Sequence, residues 1–293
     1  LTPRLPEPTL LMAVLVEPNV PADPERRWFW RARFFGAFPF VDLALLKRGW
    51  HVAHVAVDEL YGSPESNRRF DVLHAFLASL GFNRKCALAG FSRGGLDSCN
   101  WAVRNPAKVS SLYLDNAVCD FKSWPGGKGR GPGDSASWHR CLAAWGFTEA
   151  QALAFEGNPV DNLKPLADAR IPLLLVCGDA DEVVPPDENS AIVERRYRDL
   201  GGDIERCVLN SGHHQFPTGF QAGTRDVFMP GANGDLIYAA YRRFAGLAEA
   251  AGHAGEVLQF QRDVLKNVSR PGAFVEPAQK TATFAVAATM LDQ

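Results

Sequence analysis

The most constraining feature of this sequence is an alternation, in which short apolar β-like runs are separated by stretches of helical periodicity. Strands are predicted at 10–16, 27–30, 51–57, 85–89, 109–114, 172–177 and 204–209. Helices are predicted at 41–48, 67–80, 94–104 and 189–200, with two more near 236–251 and 256–266. A run such as Leu173-Leu174-Leu175-Val176-Cys177 has no polar face, so protein must cover it on both sides. Neighbouring parallel strands need a long crossover, and the helical stretches supply it. The chain is therefore expected to be α/β, with a mostly parallel central sheet flanked by helices. At 293 residues and 46% hydrophobic, a single domain over 1–293 with one insertion accommodates it.

The alternation breaks once, over 116–165, where glycine, proline, tryptophan and lysine crowd together. Ligands of open parallel sheets bind beyond the carboxyl ends of the strands, so an insertion leaving the strand at 109–114 is expected to act as a lid or substrate-binding cap. Its glycines would suit a disordered loop. Trp124, Trp138 and Trp145 argue the other way, since tryptophans need something to pack on. The tail at 273–293 carries no motif and is assigned no function.

The chemistry begins at Gly90-Phe91-Ser92-Arg93-Gly94-Gly95, directly after one predicted strand and before a helix. The G-x-S-x-G pattern in that context is a turn so sharp that the serine takes a strained backbone, which works only if the residues two positions away lack side chains. Such a turn lifts the Ser92 hydroxyl above the sheet and aims a helix N-terminus at a developing oxyanion. A second signal follows the strand at 172–177, where Asp179, Asp181, Glu182 and Asp187 compete for the role of an acid that orients a histidine. Asp179 suits a turn and Glu182 suits solvent. The third is Gly212-His213-His214 just after the last predicted strand. Only one of two adjacent histidines can point inward, and the Gly-His form favours His213.

Gly178 to Pro185, of the form G-x-x-D-x-x-V-P, resembles the acid loop of α/β-hydrolases, and this resemblance selects Asp181. Ser92, Asp181 and His213 then stand in the chain order of the α/β-hydrolase triad. The Arg93 backbone N–H belongs in the oxyanion hole, and a second donor is expected from the loop at 30–36, at Ala32. That loop lacks the His-Gly of many lipases.

Ser92-Arg93 is similar to the nucleophile motif of glucuronoyl esterases. Segments at 28–36, 58–64, 90–96, 119–129, 158–167 and 178–186 resemble bacterial α/β-hydrolases of polysaccharide breakdown, including a pectin methylesterase-like group. The elbow departs from the glucuronoyl esterase form in having Gly95-Leu96 where a lysine follows. The resemblance implies ester hydrolysis on a sugar or sugar acid, such as a uronic acid methyl ester. Arg31, Arg33, Trp124 and His214 are then the expected substrate-binding residues. An acetylesterase on neutral carbohydrate, a peptidase or amidase of the same fold, and a non-catalytic binding protein are the alternatives.

Composition narrows the partners. A formal net charge of −2 gives no global field to attract nucleic acid or an anionic membrane. The early apolar run at 10–16 is too short to span a bilayer and lacks the charged start of a signal peptide. A soluble protein is expected, and because the sequence begins at Leu1, secretion or periplasmic export stays open alongside other locations. Six cysteines form no C-x-x-C and no zinc spacing, so neither a metal nor a cofactor is expected. Cys86, Cys177 and Cys207 read as buried hydrophobes. Cys119 and Cys141 form the one pair considered for a disulfide. Oligomeric state is not legible.

Overall fold

The computed structural model describes residues 10–35, 40–209 and 281–287. In chain order these form β1 (Leu10–Val16), β2 (Trp28–Arg31), α1 (Phe40–Leu46), β3 (His51–Val55), α2 (Pro64–Ser79), β4 (Cys86–Phe91) and α3 (Gly94–Arg104). They continue with β5 (Val109–Asp115), α4 (Ser135–Trp145), α5 (Glu149–Leu153), α6 (Lys164–Asp168), β6 (Leu173–Gly178), α7 (Ser190–Asp199), β7 (Ile204–Leu209) and β8 (Thr281–Ala287).

The strands form one sheet in the order β7-β6-β5-β4-β2-β3-β1-β8. The ladders from β3 through β2, β4, β5 and β6 to β7 are parallel, and β1 pairs antiparallel with β3 on one side and β8 on the other. Successive side chains of a strand point to opposite faces, and the core divides accordingly. Trp28, Trp30, Leu88, Leu112, Leu114, Leu173 and Leu175 enter one cluster with residues of α2, α3 and α7. Their sequence neighbours Phe29, Ala87, Ala89, Tyr113, Leu174 and Val176 enter another, against α1. On the first face Trp30 packs on Phe70 at 4.4 Å and on Trp101 at 5.0 Å between ring centroids.

Several expected boundaries move for local reasons. Proline at the first helical position starts α2 at Pro64, earlier than the apolar periodicity does. β4 runs on through Gly90 and Phe91, because these still pair with Leu114 and Asp115 of β5. The tail at 273–293, which carries no motif, contains β8, in register with β1 from Leu10↔Ala287 to Val16↔Thr281. The helices expected near 236–251 and 256–266 lie outside the described residues.

Residues 116–165 are folded. α4 starts at an Asp134 cap whose carboxylate accepts the Ser137 N–H at 2.6 Å, and it ends at Gly146 with φ 66°. Trp138, Phe121 and Cys141 build a cluster with Tyr61, Leu96 and Val184 of the main body. The expected Cys119–Cys141 disulfide is not formed, and all six cysteines are free and buried. The two residues belong to different packing clusters, and the Cys119 thiol is directed at the Ala117 carbonyl, 3.6 Å away. Among the described residues no helix is long and apolar enough to cross a membrane, and no group of three or more His, Cys, Asp or Glu is placed to hold a metal ion.

Candidate active site

Ser92 stands between β4 and α3 with φ 48°, in the left-handed region that a residue with a Cβ occupies only under constraint. The surroundings impose it. The Ser92 N–H donates to the Asp115 carbonyl at 2.9 Å, and its own carbonyl accepts from Gly95 N–H at 2.9 Å and Val118 N–H at 2.8 Å. A Cβ on Gly90 would sit 2.3 Å from Ser98 Oγ and 2.8 Å from the Gly94 carbonyl. One on Gly95 would sit 2.6 Å from the Val118 carbonyl. The glycines thus let α3 begin directly against β4, and Ser92 is left partly exposed at the carboxyl end of the sheet.

The loop after β2 lies against this turn, since a Cβ on Gly94 would come 3.0 Å from Arg33 Cβ and 3.7 Å from Arg33 N. The Ala32 N–H continues the ladder by donating to the Ala89 carbonyl at 3.1 Å. The backbone N–H groups of Arg33 and Arg93 donate to no described residue. Arg31 is wholly buried on the α1 face, with Nη2 3.1 Å from Asp42 Oδ2 and its guanidinium 3.9 Å from the centre of the Phe91 ring.

Above the turn lies a charged group centred on Glu59. Its Oε1 accepts from Arg93 Nη1 at 2.9 Å and Arg33 Nη2 at 3.3 Å, and its Oε2 from Arg140 Nε at 2.8 Å and from the Tyr61 hydroxyl. Glu59 and Tyr61 occupy positive φ at 59° and 48°, so the turn between β3 and α2 is bent to bring the carboxylate here. Gly62 anchors it, its N–H donating to Asp97 Oδ1 at 2.8 Å and its carbonyl accepting from Asn100 Nδ2 at 3.1 Å. Burial alone would raise the Glu59 carboxyl, but the Tyr61 hydroxyl and the three arginines outweigh it and hold the group below its ordinary value. Burial, and then the neighbouring Arg93, pull the Arg33 guanidinium below its usual range. Trp124, partly buried, has the Arg93 guanidinium 5.7 Å from its ring, with Phe34 at 5.8 Å.

Asp181 follows β6 and is 1% exposed, whereas Asp179, Glu182 and Asp187 are exposed. Its Oδ1 accepts the Val183 and Val184 N–H groups at 2.9 and 2.8 Å, which fixes the carboxylate. β6, β5 and β4 are adjacent and parallel, so Asp181 and Ser92 leave the sheet at the same end. β7 is parallel to β6 and leads out at that end as well. His213 and His214 lie beyond it, outside the described residues.

Four contributors carried no sequence signal of their own. Glu59 and Tyr61 fall within 58–64, a segment noted only for its resemblance, and Arg140 lies on α4. Asn189 is the fourth: its Oδ1 accepts from Cys119 N at 2.8 Å and its Nδ2 donates to Ser123 Oγ and the Pro185 carbonyl at 3.1 Å each. It ties the base of the 116–165 segment to the Asp181 loop.

A strained serine between a parallel strand and a helix, with a buried aspartate two strands along, defines the α/β-hydrolase fold, and this chain has it. Solved structures with the fold include the Pyrococcus horikoshii acylaminoacyl peptidase, with TM-score 0.59 and 13% identity over 85% of this chain and 41% of that one. A puromycin hydrolase matches with TM-score 0.59 and 18% identity over 83% of this chain and 38% of that one. The Porphyromonas gingivalis dipeptidyl peptidase 4 matches with TM-score 0.55 and 14% identity over 82% and 35%. This chain spans about two fifths of the length of the first two. No protein-family model and no curated protein matches the chain.

Proposed function

We propose that this chain is a serine hydrolase that forms an acyl-enzyme on Ser92. The observation that carries the reading is the positive φ of Ser92, held by backbone hydrogen bonds and three close-packed glycines. In this mechanism His213 takes the proton as Ser92 Oγ attacks the carbonyl, and Asp181 orients the imidazole. The oxyanion is received by the backbone N–H groups of Arg93 and Arg33. Arg33 replaces Ala32 in this role because the Ala32 N–H is already bonded to Ala89. His213 then protonates the leaving group, the acyl–oxygen bond to Ser92 forms, and water releases the acid by the reverse proton path.

The bond cleaved is read as an amide or peptide bond. The solved structures that share the fold are named for acylaminoacyl peptidase, puromycin hydrolase and dipeptidyl peptidase activities, which supports this reading over a sugar ester. Hydrolysis of a carbohydrate ester is the second reading, favoured by Trp124 beside Arg93, an aromatic face next to a cation.

Labelling with a fluorophosphonate tests the nucleophile, and the modification should be absent in a folded Ser92→Ala variant. Persistence of the label in that variant would reassign the nucleophile. A panel of aminoacyl anilides, para-nitrophenyl acetate and uronic acid methyl esters separates the readings, with turnover of an anilide expected. Turnover confined to the uronic esters would favour the second reading.

A further inference from the structure

Three guanidiniums beside the proposed nucleophile share one carboxylate. Arg33, Arg93 and Arg140 come from the loop after β2, the residue after Ser92 and α4, and all three donate to Glu59. Asp58 Oδ1 lies 3.3 Å from Arg33 Nη2, but the Asp58 side chain is 75% exposed and water screens it. Counting Asp58 and the buried Asp97, whose charge also acts on Arg33 and Arg93, the carboxylates match the three arginines in number, and Asp97 Oδ1 is already occupied by Gly62 N–H and Ser66 Oγ.

The donors are also underused. Arg33 Nε is buried and has no partner among the described residues, an expensive state for a charged group. Among the described residues, Arg93 donates through Nη1 to Glu59, and Arg140 through Nε to Glu59 and Nη2 to Ser137 Oγ at 3.0 Å. The Arg93 and Arg140 side chains remain 23% and 49% exposed. Phe34 and Trp124 hold the Arg93 guanidinium in place, so little rotamer freedom is lost when it binds.

We propose that Arg93 and Arg140, positioned by Glu59, form a subsite for a carboxylate on the substrate next to the bond that is cleaved. The proposal rests on the reading of Ser92 as the nucleophile and adds the charge of the substrate to it. A carboxylate there accepts from a planar fork that suits it geometrically, through charge-assisted hydrogen bonds stronger than neutral ones. Glu59 acts on Arg93 and Arg140 and is a positioning residue. The carboxylate has two possible sources, a uronic acid or the free end of a peptide.

The test is binding to the full chain, read by calorimetry or ligand-observed NMR, so that it does not depend on turnover. Two pairs of probes are used, glucuronate against glucose and N-acetylglycine against N-acetylglycine amide. At least one acid should bind on the order of tenfold more tightly than its neutral partner, and the pair that discriminates identifies the source. Arg93→Met, which keeps the backbone N–H, and Arg140→Met should each shrink that ratio. Equal binding within both pairs overturns the subsite, as does a ratio unchanged in both variants when circular dichroism shows them folded. Fluorophosphonate labelling in the same samples reports on Ser92 separately. Acid selectivity without labelling would keep the subsite and reject the nucleophile.

Discussion

Ser92 holds its strained backbone because the chain around it is fastened at both ends, and one of the fastenings is a titratable group. Asp97, in the first turn of α3, is fully buried, and its Oδ1 accepts from Gly62 N–H at 2.8 Å and Ser66 Oγ at 2.7 Å. It thereby joins the helix that follows Ser92 to the turn that carries Glu59. Burial, only partly offset by the Ser66 hydroxyl and Arg33, pushes its carboxyl up to about 6. The native state therefore holds this proton more tightly than the unfolded chain does. The resulting stabilisation is fully present below the unfolded value near 4 and is lost as pH rises to about 6, an effect on the order of 3 kcal/mol. An Asp97→Asn variant keeps an oxygen to accept both hydrogen bonds and removes the ionisation. Its stability relative to the parent should rise between pH 4 and 6 and level off above that, measured as urea midpoints across the range. A difference that does not change with pH would show that Asp97 does not titrate there.

At the scale of elements, α3 packs closely against β4 and against the residues that follow β5, and Gly95 tests the second contact. An added methyl would meet the Val118 carbonyl at 2.6 Å and Ala117 Cβ at 2.8 Å, and Val118 N–H is bonded to the Ser92 carbonyl. Gly95→Ala should therefore destabilise the fold by about 1–3 kcal/mol and slow fluorophosphonate labelling of the fraction that remains folded. Denaturant titration and labelling kinetics read the two effects, and a variant indistinguishable from the parent in both would refute this account of the junction. Why this element was legible in the sequence is the same physics, because the constraint on Gly90, Ser92 and Gly94 is local and six consecutive residues state it. The parallel strands were legible because burial on both faces leaves apolar runs such as 173–177. β8 was not, since a strand at the edge of an antiparallel pair is specified by its partner β1 and not by its own pattern. That the Ala32 N–H pairs with the Ala89 carbonyl was not legible either, because only the ladder between β2 and β4 shows it. Glu59 was missed for a related reason: its partners Arg33, Arg93 and Arg140 are brought together by three separate connections, and sequence periodicity reports only neighbours on one element.

For the molecule as a whole, the cysteines give a measure of how completely the described core is closed. All six lie within the described residues, all are free and all are buried, on both faces of the sheet and in the cluster formed by 116–165. Burial pushes the Cys141 thiol up to about 12 and the Cys207 thiol up to about 11, and it raises Cys86 as well. Contact with Cys99 and then burial raise Cys119. The thiolate is the reactive form, so near neutral pH groups shifted this far present a reactive fraction of roughly one in a thousand or less even before access is considered. Access itself requires opening, and a domain stable by about 5 kcal/mol is globally open only about 0.02% of the time. The folded chain should therefore release almost no thionitrobenzoate from Ellman's reagent over minutes. In guanidinium without reductant it should release six equivalents, one for each cysteine in the sequence. A rapid burst from the folded protein would mean that one of the three clusters opens far more readily than its packing implies. Fewer than six equivalents after unfolding would mean that a disulfide forms in solution, with Cys99 and Cys119 the first pair to examine by mass spectrometry.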